Sequence, residues 1–340
     1  MKNLSFLDKI IFLFNSLSAA MLLLSYLLPH VAPKNFALLS VLSLAVPMLI
    51  ILNIIFGVYW LLKVKKQMLL SLFVLFVGYK YVSSLYKFSS STNIENDSNI
   101  SVMNYNVRLF NVYDWIENDQ ITEEIMTFIK QEDPDVISFQ EYHPNEAVDT
   151  LMYPYKYEKL NGTRMIHGQV IWSKFPIVNS GSIEFQNTAN NAIYADIVKA
   201  NDTLRIYNVH LQSLGINANV KELQKERSEK LLQRVSTTFE MQQDQAELFV
   251  KHKAESPYKM IICGDFNNTA YSYVYKLIKD DLVDTFEAAG NGFGRTFNFK
   301  YFPVRIDFIL ADKAFNVNNF KTFDKKLSDH YPILTKISLD

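Results

Sequence analysis

Met260-Ile261-Ile262-Cys263-Gly264-Asp265-Phe266-Asn267 is an apolar run that ends, at a glycine, in a carboxylate and an amide. It reads as a buried strand handing polar groups to the loop beyond it. The pattern recurs along the chain. Val136-Ile137-Ser138-Phe139 leads into Gln140-Glu141, and further polar clusters stand at Asn104-Tyr105-Asn106, Asn208-Val209-His210, Arg305-Ile306-Asp307 and Ser328-Asp329-His330. Strand ends feeding loops are where a sheet protein collects its reactive groups. Six such deliveries in one chain are hard to obtain by chance.

Each group type has a use in hydrolysing a phosphate ester. The hard oxygen donors of Asn106 and Glu141 suit Mg2+ or Mn2+, which take one or two protein carboxylates and keep several waters. Asp265 is placed to orient an attacking water, and Asn267 to donate hydrogen bonds to the transition state without adding negative charge. His330 needs a carboxylate partner to set its tautomer and raise its pKa, and Asp307 is the candidate. His210 supplies a second imidazole. Of the other histidines, His143, His167 and His252 read as structural or surface residues.

In order and spacing, these motifs resemble the endonuclease/exonuclease/phosphatase superfamily, the group containing DNase I, abasic-site endonucleases, neutral sphingomyelinases and inositol polyphosphate 5-phosphatases. The resemblance runs from about Ile100 to the C-terminus and includes the spacer Gly168-Gln169-Val170-Ile171-Trp172-Ser173-Lys174-Phe175-Pro176-Ile177. It implies a metal site at Asn106 and Glu141 with Asp329 near it, and water activation and transition-state contacts at Asp265 and Asn267. It also implies an Asp307–His330 pair at the scissile phosphate. His210 in Asn-Val-His-Leu is similar to the two-histidine branch of DNase I and the sphingomyelinases. Arg305-Ile306-Asp307 departs from the Trp-Cys-Asp-Arg run of the 5-phosphatases.

The surrounding sequence fits this expectation. Strand-like runs are predicted at residues 100–107, 135–139, 169–173, 192–199, 203–211, 259–263, 305–310 and 333–337, with helices at 117–131 and 219–253. Mixed strands with helices outside them predict two packed sheets flanked by helices. The resemblance implies the same four-layer α/β/β/α sandwich for residues 99–340. Tyr271, Tyr273 and Tyr275, after the Asp265 loop, read as a helix or turn surface.

Residues 1–88 are of different material. Residues 10–28 and 35–62 carry no charge, and 67–79 none until Lys80. A bilayer span takes about 20 apolar residues, so three membrane helices are predicted, at 10–28, 36–62 and 67–86. Pro47 and Gly57 are tolerated in such a setting. Lys63, Lys65 and Lys66 cluster between the second and third spans, while only Lys34 lies between the first and second. Positive-inside then places the cluster in the cytoplasm and the catalytic domain on the extracytoplasmic (periplasmic) side of a multi-pass protein. Residues 89–98, rich in Ser, Asn, Asp and Thr, read as a linker holding the domain near the bilayer.

The 340-residue chain is almost neutral, but its basic residues are unevenly shared, and the part after residue 88 carries about −8. Long nucleic acid calls for a basic stripe, and none is visible. Arg108, Arg164, Lys174, Arg295 and Arg305 are the cations beside the motifs, and of these Arg295 and Lys174 are taken as candidates to hold a phosphate or headgroup. Cys263 is the single cysteine, so neither an internal disulfide nor a thiolate metal site is available. Three readings follow: an anchored phosphodiesterase acting on a lipid headgroup or another small membrane-proximal substrate, an anchored extracytoplasmic nuclease, and a non-catalytic membrane scaffold. The expected partners are a phosphoester, as lipid headgroup or nucleic acid, and the bilayer itself, with no obligate protein partner.

Overall fold

The computed structural model describes residues 4–88, 98–148, 152–215 and 228–339. In chain order its strands are β1 (Tyr86–Lys87), β2 (Ile100–Asn106), β3 (Val136–Tyr142), β4 (Tyr155–Asn161), β5 (His167–Ser173), β6 (Ile177–Glu184) and β7 (Asn191–Lys199). There follow β8 (Asp202–His210), β9 (Lys259–Asp265), β10 (Val283–Asp284), β11 (Gly292–Phe293), β12 (Asp307–Ala311), β13 (Phe315–Thr322) and β14 (Ile333–Leu339). One six-stranded sheet has the order β13-β14-β2-β3-β5-β4 and the other β10-β12-β9-β8-β7-β6.

Each sheet holds one parallel pair, β2 with β3 and β8 with β9. A parallel pair needs a long crossover, and helix Ile121–Glu132 supplies the first. Helix Ser228–Ala254 lies in the second. Parallel pairing brings two C-terminal strand ends to the same rim, Asn106 beside Gln140 and His210 beside Asp265. Gly264 permits the second approach, because a Cβ there would lie 2.0 Å from the Val209 carbonyl oxygen.

Between the sheets Val102, Val136, Ile171, Ile206, Ile261 and Ile309 form a buried core. Helix Ile121–Glu132 covers one outer face with Ile125, Phe128 and Ile129, and helix Ser228–Ala254 covers the other with Ala246 and Phe249. The order is therefore helix, sheet, sheet, helix. A buried polar clasp crosses the interior: Gln140 Nε2 donates to Asn104 Oδ1 at 2.8 Å and Asn208 Oδ1 at 2.6 Å, and Asn208 Nδ2 donates to the Phe139 carbonyl at 2.6 Å. Buried amides of this kind are tolerable only when paired, so the clasp fixes how the two sheets face each other.

At the N-terminus, Phe6–His30 and Ala37–Leu62 are long and apolar enough to cross a membrane. The third predicted span is not one straight helix. Met68–Val77 and Tyr79–Leu85 are bent by 81° across Gly78, where the Tyr26 side chain presses so close that a Cβ would lie 1.9 Å from its hydroxyl. The ten residues of Met68–Val77 rise only about 15 Å. Polar groups within the bundle satisfy one another: Asn15 donates to Ser71 at 2.7 Å, Trp60 to Asn15 at 3.0 Å and Asn53 to Ser18 at 3.0 Å.

The bundle is packed directly onto the sandwich. β1 pairs with β11, Thr269 Oγ1 donates to the Ser43 carbonyl at 3.3 Å, the Tyr271 hydroxyl donates to the Tyr81 carbonyl at 3.2 Å, and Lys34 pairs with Asp244. Tyr271 is 3 % exposed and belongs to the bundle's apolar cluster with Ala19, Leu22 and Val46, and Tyr275 is buried too. Neither forms the surface expected of it. Most of the predicted linker, residues 89–97, lies outside the described residues, as do residues 219–227 of the long predicted helix.

Candidate active site

Eight of the ten candidate residues meet at the rim where the strand ends converge. From the first sheet, Asn106 closes β2 and Glu141 lies near the end of β3. The β3 to β5 register shifts between Phe139 and Tyr142, and Glu141 takes a positive φ of 49°. Such an irregularity re-aims a side chain at a sheet's rim. Asn106 Nδ2 lies 3.3 Å from Glu141 Oε1 and 3.0 Å from Asp265 Oδ2.

The second sheet supplies Asp265, His210 and Asp307. His210 Nε2 stands 3.9 Å from Asp265 Oδ2, and Asp307 is the residue paired with Asp265 across β12 and β9. Asn267 follows at φ 49°, its backbone N–H donating to Asp265 Oδ1 at 2.8 Å and its Nδ2 to the Leu211 carbonyl at 3.0 Å. The loop ahead of β14 brings His330, with Nδ1 2.9 Å from Asp307 Oδ2 and Nε2 3.6 Å from Asp265 Oδ2.

Burial and charge act differently on the two imidazoles. Burial alone would lower His330, but the carboxylates of Asp307 and Asp265 outweigh it and hold the ring well above its ordinary value. His210 has no carboxylate in hydrogen-bond contact; burial, reinforced by the charge of His330, depresses it to about 3. Burial also raises Asp265 and Glu141, each partly countered by His330. The two rings are thus pushed in opposite directions, His330 toward its protonated form and His210 toward its neutral one.

Two donor groupings are available to a metal. Glu141 and Asp329 offer hard oxygens, while Asn106 Oδ1 accepts from the Arg108 N–H at 3.0 Å and would reach a metal from there; no lysine or arginine lies in ion-pair contact with Glu141 or Asp265 among the described residues. Buried carboxylates that His330 counters only in part fit a divalent cation. Asp265, Asp307 and His330 also hold ligand-capable atoms within 4.8 Å of one another.

The structure does not bring Lys174 to this rim. It follows β5 at the end paired with Val136, the opposite end of β3 from Glu141, and is held by Asp133 at 2.7 Å. Arg295 is nearer, but its guanidinium is engaged by Asn298 and the Tyr331 hydroxyl, both at 2.7 Å, and it lines a neighbouring crevice. Beside Arg108, one of the cations that the sequence places next to the motifs, two residues not read as site residues adjoin the rim. Arg108 pairs with Asp329 at 3.2 Å. Thr296 Oγ1 accepts from the Ile306 and Asp307 N–H groups at 3.0 and 3.1 Å. Phe297 packs edge-on to the His330 ring with centroids 5.1 Å apart. Thr296 and Phe297 sit in a loop with no strand-like pattern, so nothing local marked them.

The cavity at the rim has a volume of about 290 Å3 and is bordered by Glu141, Asp265, Asn267, Asp329 and His330. Its far wall includes Leu44, from the helical N-terminal region.

Two sheets closing on carboxylates, amides and a charged histidine define a DNase I-like hydrolase of phosphate esters. The profile of the Endonuclease/Exonuclease/phosphatase family matches residues 103–330, and the chain belongs to that family. Its members are divalent-metal-dependent hydrolases of phosphate esters, and so is this chain. Residues 8–85 match a domain of unknown function (DUF8431). No curated protein matches. Among solved structures, the fold is similar to an endonuclease/exonuclease/phosphatase from Bacteroides vulgatus, with 18% identity and a TM-score of 0.57 over 72% of this chain and all of that one. It is also similar to D. rerio TDP2 complexed with single-strand DNA product (18%, TM-score 0.52, 71% of this chain and all of that one). A third is the mannosyl-6-phosphatase of Bacteroides thetaiotaomicron (18%, 0.50, again 71% and all of that chain). At such identities the likeness is one of fold.

Proposed function

We propose that this chain is a membrane-anchored phosphodiesterase using Mg2+ or Mn2+, whose substrate is a lipid headgroup or another small phosphodiester close to the bilayer. The observation that carries this reading is the grouping of Asp307, His330 and Asp265 at 2.9 and 3.6 Å, beside the Glu141 carboxylate and the Asn106 amide that contacts it. His330 is the poorer metal ligand, because its Nδ1 is held by Asp307 at 2.9 Å and its Nε2 is turned toward Asp265 at 3.6 Å, whereas Glu141 and Asp329 offer the hard carboxylate oxygens that Mg2+ takes. The metal is therefore assigned to Asn106, Glu141 and Asp329. Bound there, it offsets charge on the phosphoryl oxygens.

The chain's own residues do the rest. Asp265, its basicity raised by burial, accepts a proton from the attacking water as that oxygen bonds to phosphorus and the ester oxygen departs in line. Asn267 directs its second amide N–H at a phosphoryl oxygen. His330 donates as a cation, oriented by Asp307, and His210 contributes as a neutral ring.

The first 88 residues act as the anchor. Lys63, Lys65 and Lys66 follow the end of helix Val46–Leu62 away from the sandwich, since Ser43, ahead of its start, touches Thr269. Positive-inside then supports an extracytoplasmic catalytic domain. Hydrolysis by the full chain with Mg2+ and with EDTA, on phospholipids, supercoiled DNA and an aryl phosphodiester, tests the reading, with Asp265→Ala as the control for contaminants. Lipid or small-diester turnover abolished by EDTA is expected. DNA nicking without either would transfer the assignment to an anchored nuclease.

A further inference from the structure

We infer that the apolar part of the active-site cavity binds a hydrocarbon chain, so that the substrate is an amphiphile with its phosphoester at the membrane surface and its tail passing Leu44. The inference rests on the phosphoesterase reading and adds where the uncharged end of the substrate goes.

Beyond the reacting groups, the cavity wall is largely hydrocarbon: Leu44, Leu214, Phe299, Phe302, Val304 and Ile306. A substrate rich in hydroxyls would leave them unpaired against this wall. Among the described residues no lysine or arginine lines the cavity, so none of these tracks the next phosphate of a polynucleotide. An alkyl chain meets neither objection.

Leu44 indicates the route of entry. It lies in the short helical turn Val41–Ala45, immediately before Val46–Leu62, within a run apolar enough to cross a membrane. The wall of the cavity is thus continuous with the outer end of a candidate span. Leu38, on the segment leading to Leu44, is 64% exposed, and Tyr301, between Phe299 and Phe302, is 63% exposed. Both present apolar surface where a bilayer boundary would lie. Phe299 packs on Phe302 with centroids 4.9 Å apart, and the same loop is tied to the catalytic histidine by the Phe297–His330 bridge. A volume of about 290 Å3 is at the low end of small-molecule pockets. It admits a phosphate and a short stretch of chain, the remainder of a lipid staying in the bilayer.

The test uses the full chain in nanodiscs with Mg2+ and monomeric 4-nitrophenyl n-alkyl phosphodiesters, with a matching series of n-alkyl phosphomonoesters, from methyl to octyl. Rates are read as nitrophenolate or inorganic phosphate release. The expected result is a kcat/KM that climbs about fourfold per methylene over the first several carbons, with a smaller octyl-to-methyl ratio in Leu44→Ala and in Phe302→Ala. Phe302 stands in a half-exposed loop, so its variant serves if Leu44→Ala does not fold. Hydrolysis that is flat with chain length, or a gradient both variants leave intact, overturns the chain site while sparing the phosphoesterase reading. Preference for a nucleoside ester over the octyl ester overturns it in favour of a base-stacking site. Failure to hydrolyse any ester overturns the phosphoesterase reading, and the inference with it.

Discussion

Asp307 and His330 meet at 2.9 Å, carboxylate oxygen to ring Nδ1, although one opens β12 and the other lies in the loop before β14. Thr296 holds the Asp307 N–H from behind, so the pair is set by the backbone as well as by its own bond. Removing the imidazole in His330→Ala should lower turnover by at least ~10²-fold, the scale of losing a principal transition-state contact. Steady-state kcat on the best diester measures it. Wild-type turnover in that variant would sink the assignment.

Metal dependence should be lost through Glu141. In Glu141→Gln the Mg2+ concentration giving half-maximal rate should rise by about tenfold or more, within the range seen when a metal site loses a supporting group. A metal titration of the rate reports this directly, and an unshifted midpoint would move the ion to another donor set.

His210 makes a prediction about acid stability. Its ordinary pKa is 6.5 and burial takes it to about 3 in the folded chain. The unfolded state therefore binds more protons as pH falls below 6.5, and folding stability declines with pH through that window until about 3. The slope from this group approaches ~1.4 kcal/mol per pH unit. Denaturation midpoints of wild type and His210→Asn at pH 7 and pH 4 should show a shallower decline in the variant; parallel declines would remove His210 as the cause.

Asn208→Ala should be costly without touching the rim. It removes one of the acceptors of the Gln140 amide, which keeps Asn104, and the side-chain donor to the Phe139 carbonyl, and an unpaired buried group costs about 1–3 kcal/mol. Denaturant unfolding measures the loss, and a change below about 0.5 kcal/mol, the usual size for surface substitutions, would mean the clasp contributes little.

Membrane sidedness can be read with thiol reagents because Cys263, the only native cysteine, is buried. An impermeant maleimide applied to intact cells should label Glu255→Cys and leave Lys65→Cys unlabelled. The reverse pattern would turn the protein over.

The sequence showed the centre of the fold better than its margins. The strands at 100–107, 135–139, 203–211 and 259–263 were legible because each is buried and uninterrupted, and each corresponds to β2, β3, β8 or β9. β4, β6 and β13 were not anticipated. All three are edge strands, and an edge needs only part of its residues apolar, so Tyr155–Asn161 and Ile177–Glu184 read as mixed surface. The motif residues were visible because chemistry restricts their types. Lys174 was misjudged because nearness in sequence to a strand says nothing about which end of it the residue occupies. The bend at Gly78 depends on Tyr26, and the place of Leu44 on a docking of two regions; neither contact has a local signature.

Tyr271 gives the architecture a consequence beyond anchoring. It follows Asp265 and Asn267 by a few residues and is embedded among the side chains of the helices. The segment bearing the reactive groups is thereby fastened to the outer end of the bundle, with Thr269 as a second attachment. Under the proposed anchoring, reach and orientation stop being variables, and the enzyme would work at one fixed height above the lipid. Depth then becomes a filter in its own right, admitting esters that rise to that level and passing over identical chemistry carried higher in the surrounding water.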